Sequence, residues 1–264
     1  MRRGSIFWGL VLTLAGVLLL LNTMGMLPAG FGAYFWPLVI VLLGVWLIVS
    51  PRMSRGELKE ESASFPLESA TAAEIDFHHG AGKLRVEALQ EPLQLAAGTF
   101  VGGVTPVLRR DGSQVYLSLK TPEGMFAPPP IGPHFSLDWN LGLTREIPLR
   151  LAFHTGASET ALNLADLRVE SLRIETGASA TRVILPANAG FTRVSVEAGA
   201  ASIDLTVPEG VAARIKAGGG LSGIHVNTSR FPQTGGVYET PAYETYPNRA
   251  EITLETGVGS VDIH

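Results

Sequence analysis

Beyond residue 73 the chain alternates apolar and polar residues in short runs, among them Ile75-Asp76-Phe77, Leu84-Arg85-Val86, Val115-Tyr116-Leu117-Ser118-Leu119 and Arg193-Val194-Ser195-Val196. A period of two sends successive side chains to opposite faces of an extended backbone, so these runs predict half-buried β-strands. No window after residue 60 carries a long capped stripe of period 3.6, and little helix is expected there. The N-terminal pattern is of another kind. Between Arg3 and Arg52 lie 48 residues without a charged side chain. As one helix they would be roughly 72 Å long, more than twice a hydrocarbon core of about 30 Å. The stretch must therefore fold back, and the run from Asn22 to Gly32, with Gly25, Pro28, Gly30 and Gly32, is where it breaks. This predicts a two-helix transmembrane hairpin in residues 1–50, with spans near 5–22 and 34–50. A polar linker over 51–73 and one all-β domain over 74–264 complete the chain.

Trp8, Tyr34, Trp36 and Trp46 lie toward the span ends, where amphipathic rings favour the headgroup level. Gly9 and Gly16 share a helical face and allow close helix packing. Arg2 and Arg3 precede the first span, Arg52, Arg55 and Lys59 follow the second, and the connecting loop is uncharged. The positive-inside rule then puts both termini and the β domain in the cytoplasm, as part of a multi-pass protein of the cell membrane. The competing reading takes Met1 to Leu21 as a signal peptide. It is disfavoured because no small-residue cleavage site follows Leu21 and a second apolar span comes directly after.

The β region repeats. With a glycine as zero, apolar residues recur at minus five and minus three, small residues at plus one and plus two, and apolar residues or Thr at plus four and plus six. Six copies fit: IDFHHGAGKLRV around Gly80, LAFHTGASETAL around Gly156, LRIETGASATRV around Gly177, VSVEAGAASIDL around Gly199, ARIKAGGGLSGI around Gly218, and ITLETGVGSVDI around Gly257. Units of about 20 residues predict a stacked, β-solenoid-like coil in which each unit buries its apolar face against the next. The glycines mark corners, where the backbone needs positive φ or neighbouring coils approach closely. Two irregular excursions interrupt the stack, a Pro-rich run over 121–133 and a loop over 227–249. Their aromatic residues and those just beyond, Phe126, Phe135, Trp139, Tyr238, Tyr243 and Tyr246, are the candidate partner-binding residues. The alternative is that these rings cap an open end of the stack.

Charge and composition exclude several classes. After position 51 there are 18 basic and 24 acidic residues, the wrong sign for a nucleic-acid surface. The absence of cysteine removes disulfides, Cys-based zinc sites, iron-sulfur clusters and thiol nucleophiles. His78 and His154 share the minus-two column with Glu175, Glu197, Lys216 and Glu255, which suggests a metal ladder. That column has outward parity and Lys216 opposes a cation, so no metal site is expected. Gly218-Gly219-Gly220-Leu221-Ser222-Gly223 satisfies G-x-G-x-x-G, but Ile224-His225-Val226 continues as a strand where a phosphate-binding helix would have to begin. Glu57, Glu60 and Glu61 form a solvated charge run in the linker, and Asn227-Thr228-Ser229 is a formal glycosylation sequon. No set of nucleophile, base and oxyanion donor converges, so no enzyme, cofactor or small-molecule substrate is expected.

The segments GSIFWGLVLTLAGVLLLLNTMGMLP and FWPLVIVLLGVWLIV resemble the LiaI/LiaF-like transmembrane region of bacterial envelope-stress proteins. LDWNLGLTREIPLRLAFHTGASETALNLADLRVESLRIETGASATRVILP, VEAGAASIDLTVPEGVAARI and ITLETGVGSVDIH resemble the toast-rack β domain of LiaF-type, cell wall-active antibiotic response proteins and related adhesin-like bacterial proteins. The resemblance implies a membrane-anchored, non-enzymatic regulatory protein. In one branch it is a negative regulator of a two-component sensor kinase, so that the partner is such a kinase or another membrane protein. This chain has two apparent spans where that branch has more. The alternative is an extracytoplasmic adhesin-like structural or scaffold protein.

Overall fold

The structure, a computed structural model, describes residues 60–122 and 137–264. The expected membrane hairpin, Phe126 and Phe135 lie outside the described residues, which all fall within the unit Glu57–His264.

The described chain is β throughout, apart from one 3-10 turn at Tyr243–Thr245. Its strands are β1 (Glu60–Pro66), β2 (Ala72–Ala88), β3 (Gln94–Val101), β4 (Thr105–Asp111), β5 (Gln114–Lys120), β6 (Leu137–Leu143), β7 (Leu149–Asn163), β8 (Val169–Ile184), β9 (Phe191–Thr206), β10 (Val211–Val226), β11 (Gln233–Thr234), β12 (Val237–Glu239) and β13 (Asn248–Ile263). Six long strands form a parallel stack in the order β2, β7, β8, β9, β13, β10. Each bends at its glycine into two limbs. In β8, Leu172, Ile174 and Thr176 are buried before the bend and Thr181 and Val183 after it, while the consecutive Gly177 and Ala178 are exposed. Two outward residues in succession break the period of two, so both limbs turn their apolar face into one core.

Three connections, β7 to β8, β8 to β9 and β9 to β10, are short. Six residues from Asn163 to Val169 reach at most about 22 Å at ~3.6 Å per residue, so the end of one long strand lies near the start of the next. Leu164, Leu167, Leu185 and Val207 in these turns are buried in the common core. The turns also stack, Leu164 N–H donating to Ile184 O at 3.0 Å and Leu185 N–H to Thr206 O at 3.0 Å. Phe77 and Phe153 lie face to face on adjacent coils, 4.5 Å between ring centres.

The repeat glycines form a column because there is no room for a side chain. A Cβ at Gly177 would lie 3.0 Å from Gly156 O, at Gly199 2.9 Å from Gly177 O, and at Gly257 2.7 Å from Gly199 O. None of these glycines has positive φ, so close approach of coils is the operative cause. One assignment needs correcting. Gly218 stands opposite Glu255, and the column position of β10 is held by Gly220, whose Cβ would lie 3.0 Å from Gly257 O. Ile215 is accordingly opposite Ile252, two positions off the frame taken from Gly218, and Lys216 is opposite Thr253. Three adjacent glycines let the apolar pattern fit either frame.

The spatial order also departs from the chain order, because β13 lies between β9 and β10. Its inward residues Ile252, Leu254, Val261 and Ile263 are fully buried, while the glycine-rich second half of β10 offers fewer bulky inward side chains and takes the edge. At the other end β5 pairs with the first limb of β2 and β6 with its second limb, so that the two make one split rung around the Pro-rich excursion. The stretch 51–73 includes β1, which pairs with β3. β1 reads as polar because it is an edge strand whose side chains are mostly exposed.

Candidate functional site

The minus-two side chains line up across the stack. Pairing registers place Lys120 beside His78, His78 beside His154, then Glu175, Glu197 and Glu255, with Gly218 last. They line an open groove of about 940 Å³ along the glycine corner. Outward parity of this column is as the repeat demands. The charge along it runs from a cation at Lys120, through two imidazoles, to three carboxylates.

The imidazoles of His78 and His154 stack with centres 4.8 Å apart and planes 11° from parallel. Partial burial, then His154 and Lys120, hold the His78 pKa below its ordinary value, with Asp76 opposing. His154 Nδ1 lies 2.8 Å from Glu175 Oε2. Arg173 donates to Glu175 Oε1 at 2.6 Å and reaches to within 3.6 Å of Glu197. The Arg173 guanidinium, followed by His154, keeps the Glu175 carboxyl below the usual carboxylate range. Arg173 thus supplies the positive charge that a metal would otherwise bring between stacked carboxylates. Among the described residues no group of three His, Asp or Glu side chains could hold a metal ion. The hydroxyls nearest the column are occupied with each other, Thr155 Oγ1 donating to Thr176 Oγ1 at 2.9 Å. What remains is a graded polar face.

The aromatic candidates divide. Trp139 is fully buried at the β3–β6 end, edge-on to Phe100 at 5.2 Å and 5.1 Å from the ring of His79. It is a core residue, unavailable to a partner. His79, also buried, bonds through Nε2 to Leu137 O at 2.8 Å, and burial lowers its pKa. Tyr243 is likewise buried, its ring covered by the Arg214 guanidinium at 4.3 Å and the Arg249 guanidinium at 5.8 Å. Tyr238 stands opposite Ile215 and packs half-buried on the core, and Tyr246 is half-buried beyond the 3-10 turn. Tyr238 and Tyr243 thus pack on the first limb of β10. The structure instead exposes Leu221 and Val258 beside the glycine column, residues that belong to the repeat and carried no sequence signal of their own.

Residues 54–206 match the family described as the N-terminal domain of toast_rack, DUF2154. Residues 6–48 match the LiaI-LiaF-like transmembrane region, which makes the protein membrane-associated. Among the described residues no helix is long and apolar enough to cross a membrane. No curated protein matches the sequence. A solved structure from Clostridium sporogenes ATCC 15579, described as a candidate cell adhesion protein, is 21% identical and superposes with a TM-score of 0.72, covering 78% of this chain and 98% of that one. It shares the fold. A candidate adhesin from Bacteroides fragilis NCTC 9343 has 10% identity and a TM-score of 0.31, over 78% of this chain and 97% of that one. Neither description names an enzyme. With its bent parallel coils, glycine column and preceding membrane region, this chain belongs to the toast-rack N-terminal domain family, DUF2154.

Proposed function

We propose that the protein is a non-enzymatic contact module of the bacterial envelope-stress response, anchored by its membrane hairpin, with its β domain on the cytoplasmic side. Its partner is a two-component sensor kinase or another membrane protein. The observation that carries this reading is the direct succession, in one chain, of a LiaI-LiaF-like membrane region over 6–48 and a toast-rack domain from residue 54. Five residues separate the two matches, so the β domain is joined to the membrane region by a short connection. The outer face fits a contact module, offering the Lys120-to-Glu255 charge gradient where a reactive centre would need converging groups. Phe126, Phe135 and Tyr246 remain the aromatic contacts proposed for the partner.

The second reading is an extracytoplasmic scaffold, favoured by the likeness to the Clostridium structure. Co-purification from detergent-solubilised membranes tests the first. The intact chain is expected to bring down a histidine kinase, and residues 1–50 alone are not. Equal recovery with both, or no kinase with either, counts against the regulatory reading.

A further inference from the structure

The stack has two ends and two limbs, hence four sheet edges, and three of them are guarded against pairing. On the second limb the outermost strand at one end is β1, which carries Glu60, Glu61 and Pro66. On the first limb at that end it is β4, exposed along its whole length, with Pro106, Arg109, Arg110 and Asp111. At the opposite end of the first limb, β12 covers Arg214 and Ile215, and β11 outside it is two residues long. Charges, prolines and short strands are the usual means by which an edge is kept from templating another chain.

The fourth edge has none of these. From its corner at Gly220 to Val226 the second limb of β10 pairs on one side with β13, and no described strand pairs with its other side. Its sequence, GLSGIHV, contains no Asp, Glu, Lys, Arg or Pro. Leu221 is 82% exposed. Ser222, Ile224 and Val226 have inward parity but are only half-buried, because among the described residues no strand covers them. In repeat folds a terminal unit left in this state calls for a cap.

We propose that this edge pairs with the same edge of a second copy of the chain, antiparallel about a two-fold axis, making one continuous sheet. An uncharged edge pairs with itself without placing like charges opposite each other, which the β1 and β4 edges could not do. Membrane anchoring concentrates copies in one plane and in one orientation, favouring such a contact. The parity fixes the register class. Directly opposed residues of an antiparallel pair share a face, so keeping Ser222, Ile224 and Val226 inward on both copies requires the axis to pass through a residue. Placing it at Gly223 pairs the whole limb beyond the corner, Gly220 through Val226, with Leu221 opposite His225 and Ser222 opposite Ile224. This inference stands independently of the kinase reading.

The test uses the full chain in detergent or nanodiscs. The protein has no cysteine, and a side chain at Gly223 would meet nothing nearer than His225 Nε2 at 3.8 Å, so Gly223→Cys is tolerated. Across an antiparallel pair the two Cα atoms would be about 4.5–5.5 Å apart, inside the range of about 4.4–6.8 Å that a disulfide spans. Mild oxidation is expected to link most of Gly223→Cys into a dimer and to link Ser62→Cys, on the β1 edge, at least tenfold less. Leu221→Glu/His225→Glu, at two exposed positions, sets carboxylates against each other and is expected to abolish both the cross-link and the dimer mass in sedimentation, with an unchanged circular dichroism spectrum. A monomeric mass for the unaltered chain, a dimer indifferent to the double substitution, or cross-linking of Gly223→Cys to a different protein would each overturn the proposal.

Discussion

Gly257→Val is expected to destabilise the β domain by at least about 2 kcal/mol, at the upper end of what overpacking costs. Gly257 lies within the stack, with Gly199 on one side and Gly220 on the other. Its missing Cβ would sit 2.7 Å from the Gly199 carbonyl oxygen, a backbone atom between two paired positions of the neighbouring coil. Relief requires separating two coils whose inward residues Leu254 and Val196 are fully buried and in register, so the strain spreads into the core. Glu255→Ala, two residues away in the outward column, removes an exposed side chain and should change stability by less than about 0.5 kcal/mol. Denaturant unfolding of residues 57–264 separates the two. Equal effects would mean that the column is not tightly packed.

Trp139→Ala should cost about 3–5 kcal/mol, the range for large buried aromatics, and should act on the fold and not on partner capture. The ring is fully buried against Phe100 and His79 where β3 and β6 close the stack. One term opposes the loss. Trp139 Nε1 is buried with no hydrogen-bond partner, and removing an unsatisfied donor returns about 1–3 kcal/mol of desolvation. The cavity and transfer terms for so large a side chain exceed that return in most settings, so the net effect stays destabilising. Near-ultraviolet circular dichroism with a thermal melt is the check, and a variant as stable as the parent would contradict the packing described.

These two positions show what a linear pattern can and cannot carry. Inward and outward faces, coil length and the need for glycine at each corner are local properties of one strand, and they are legible from the spacing of Ile174, Gly177 and Val183 alone. Which coil lies beside which is not local. The placement of β13 between β9 and β10 depends on a comparison of two apolar strands far apart in sequence, and the shift from Gly218 to Gly220 depends on a neighbour's carbonyl. The outward column of His78, His154, Glu175, Glu197 and Glu255 could be aligned from the sequence. Lys120 could not, since it arrives on the separate strand β5, and neither could Arg173, whose role is set by side-chain reach. Burial of Trp139 follows the alternation Leu137-Asp138-Trp139-Asn140-Leu141, whose inward positions are apolar, whereas Tyr243 falls in an irregular segment, where the period of two does not separate inward from outward positions.

The most direct test of the functional account is the side of the membrane on which the β domain lies. Because the chain lacks cysteine, single-Cys variants report position without background. Gly25→Cys lies in the uncharged connection between the two apolar segments, and Leu93→Cys replaces a side chain that is 80% exposed on the β domain. With a membrane-impermeant thiol reagent on intact cells, Gly25→Cys should label and Leu93→Cys should label only after lysis. Labelling of Leu93→Cys in intact cells would contradict the cytoplasmic contact module and favour the extracytoplasmic scaffold.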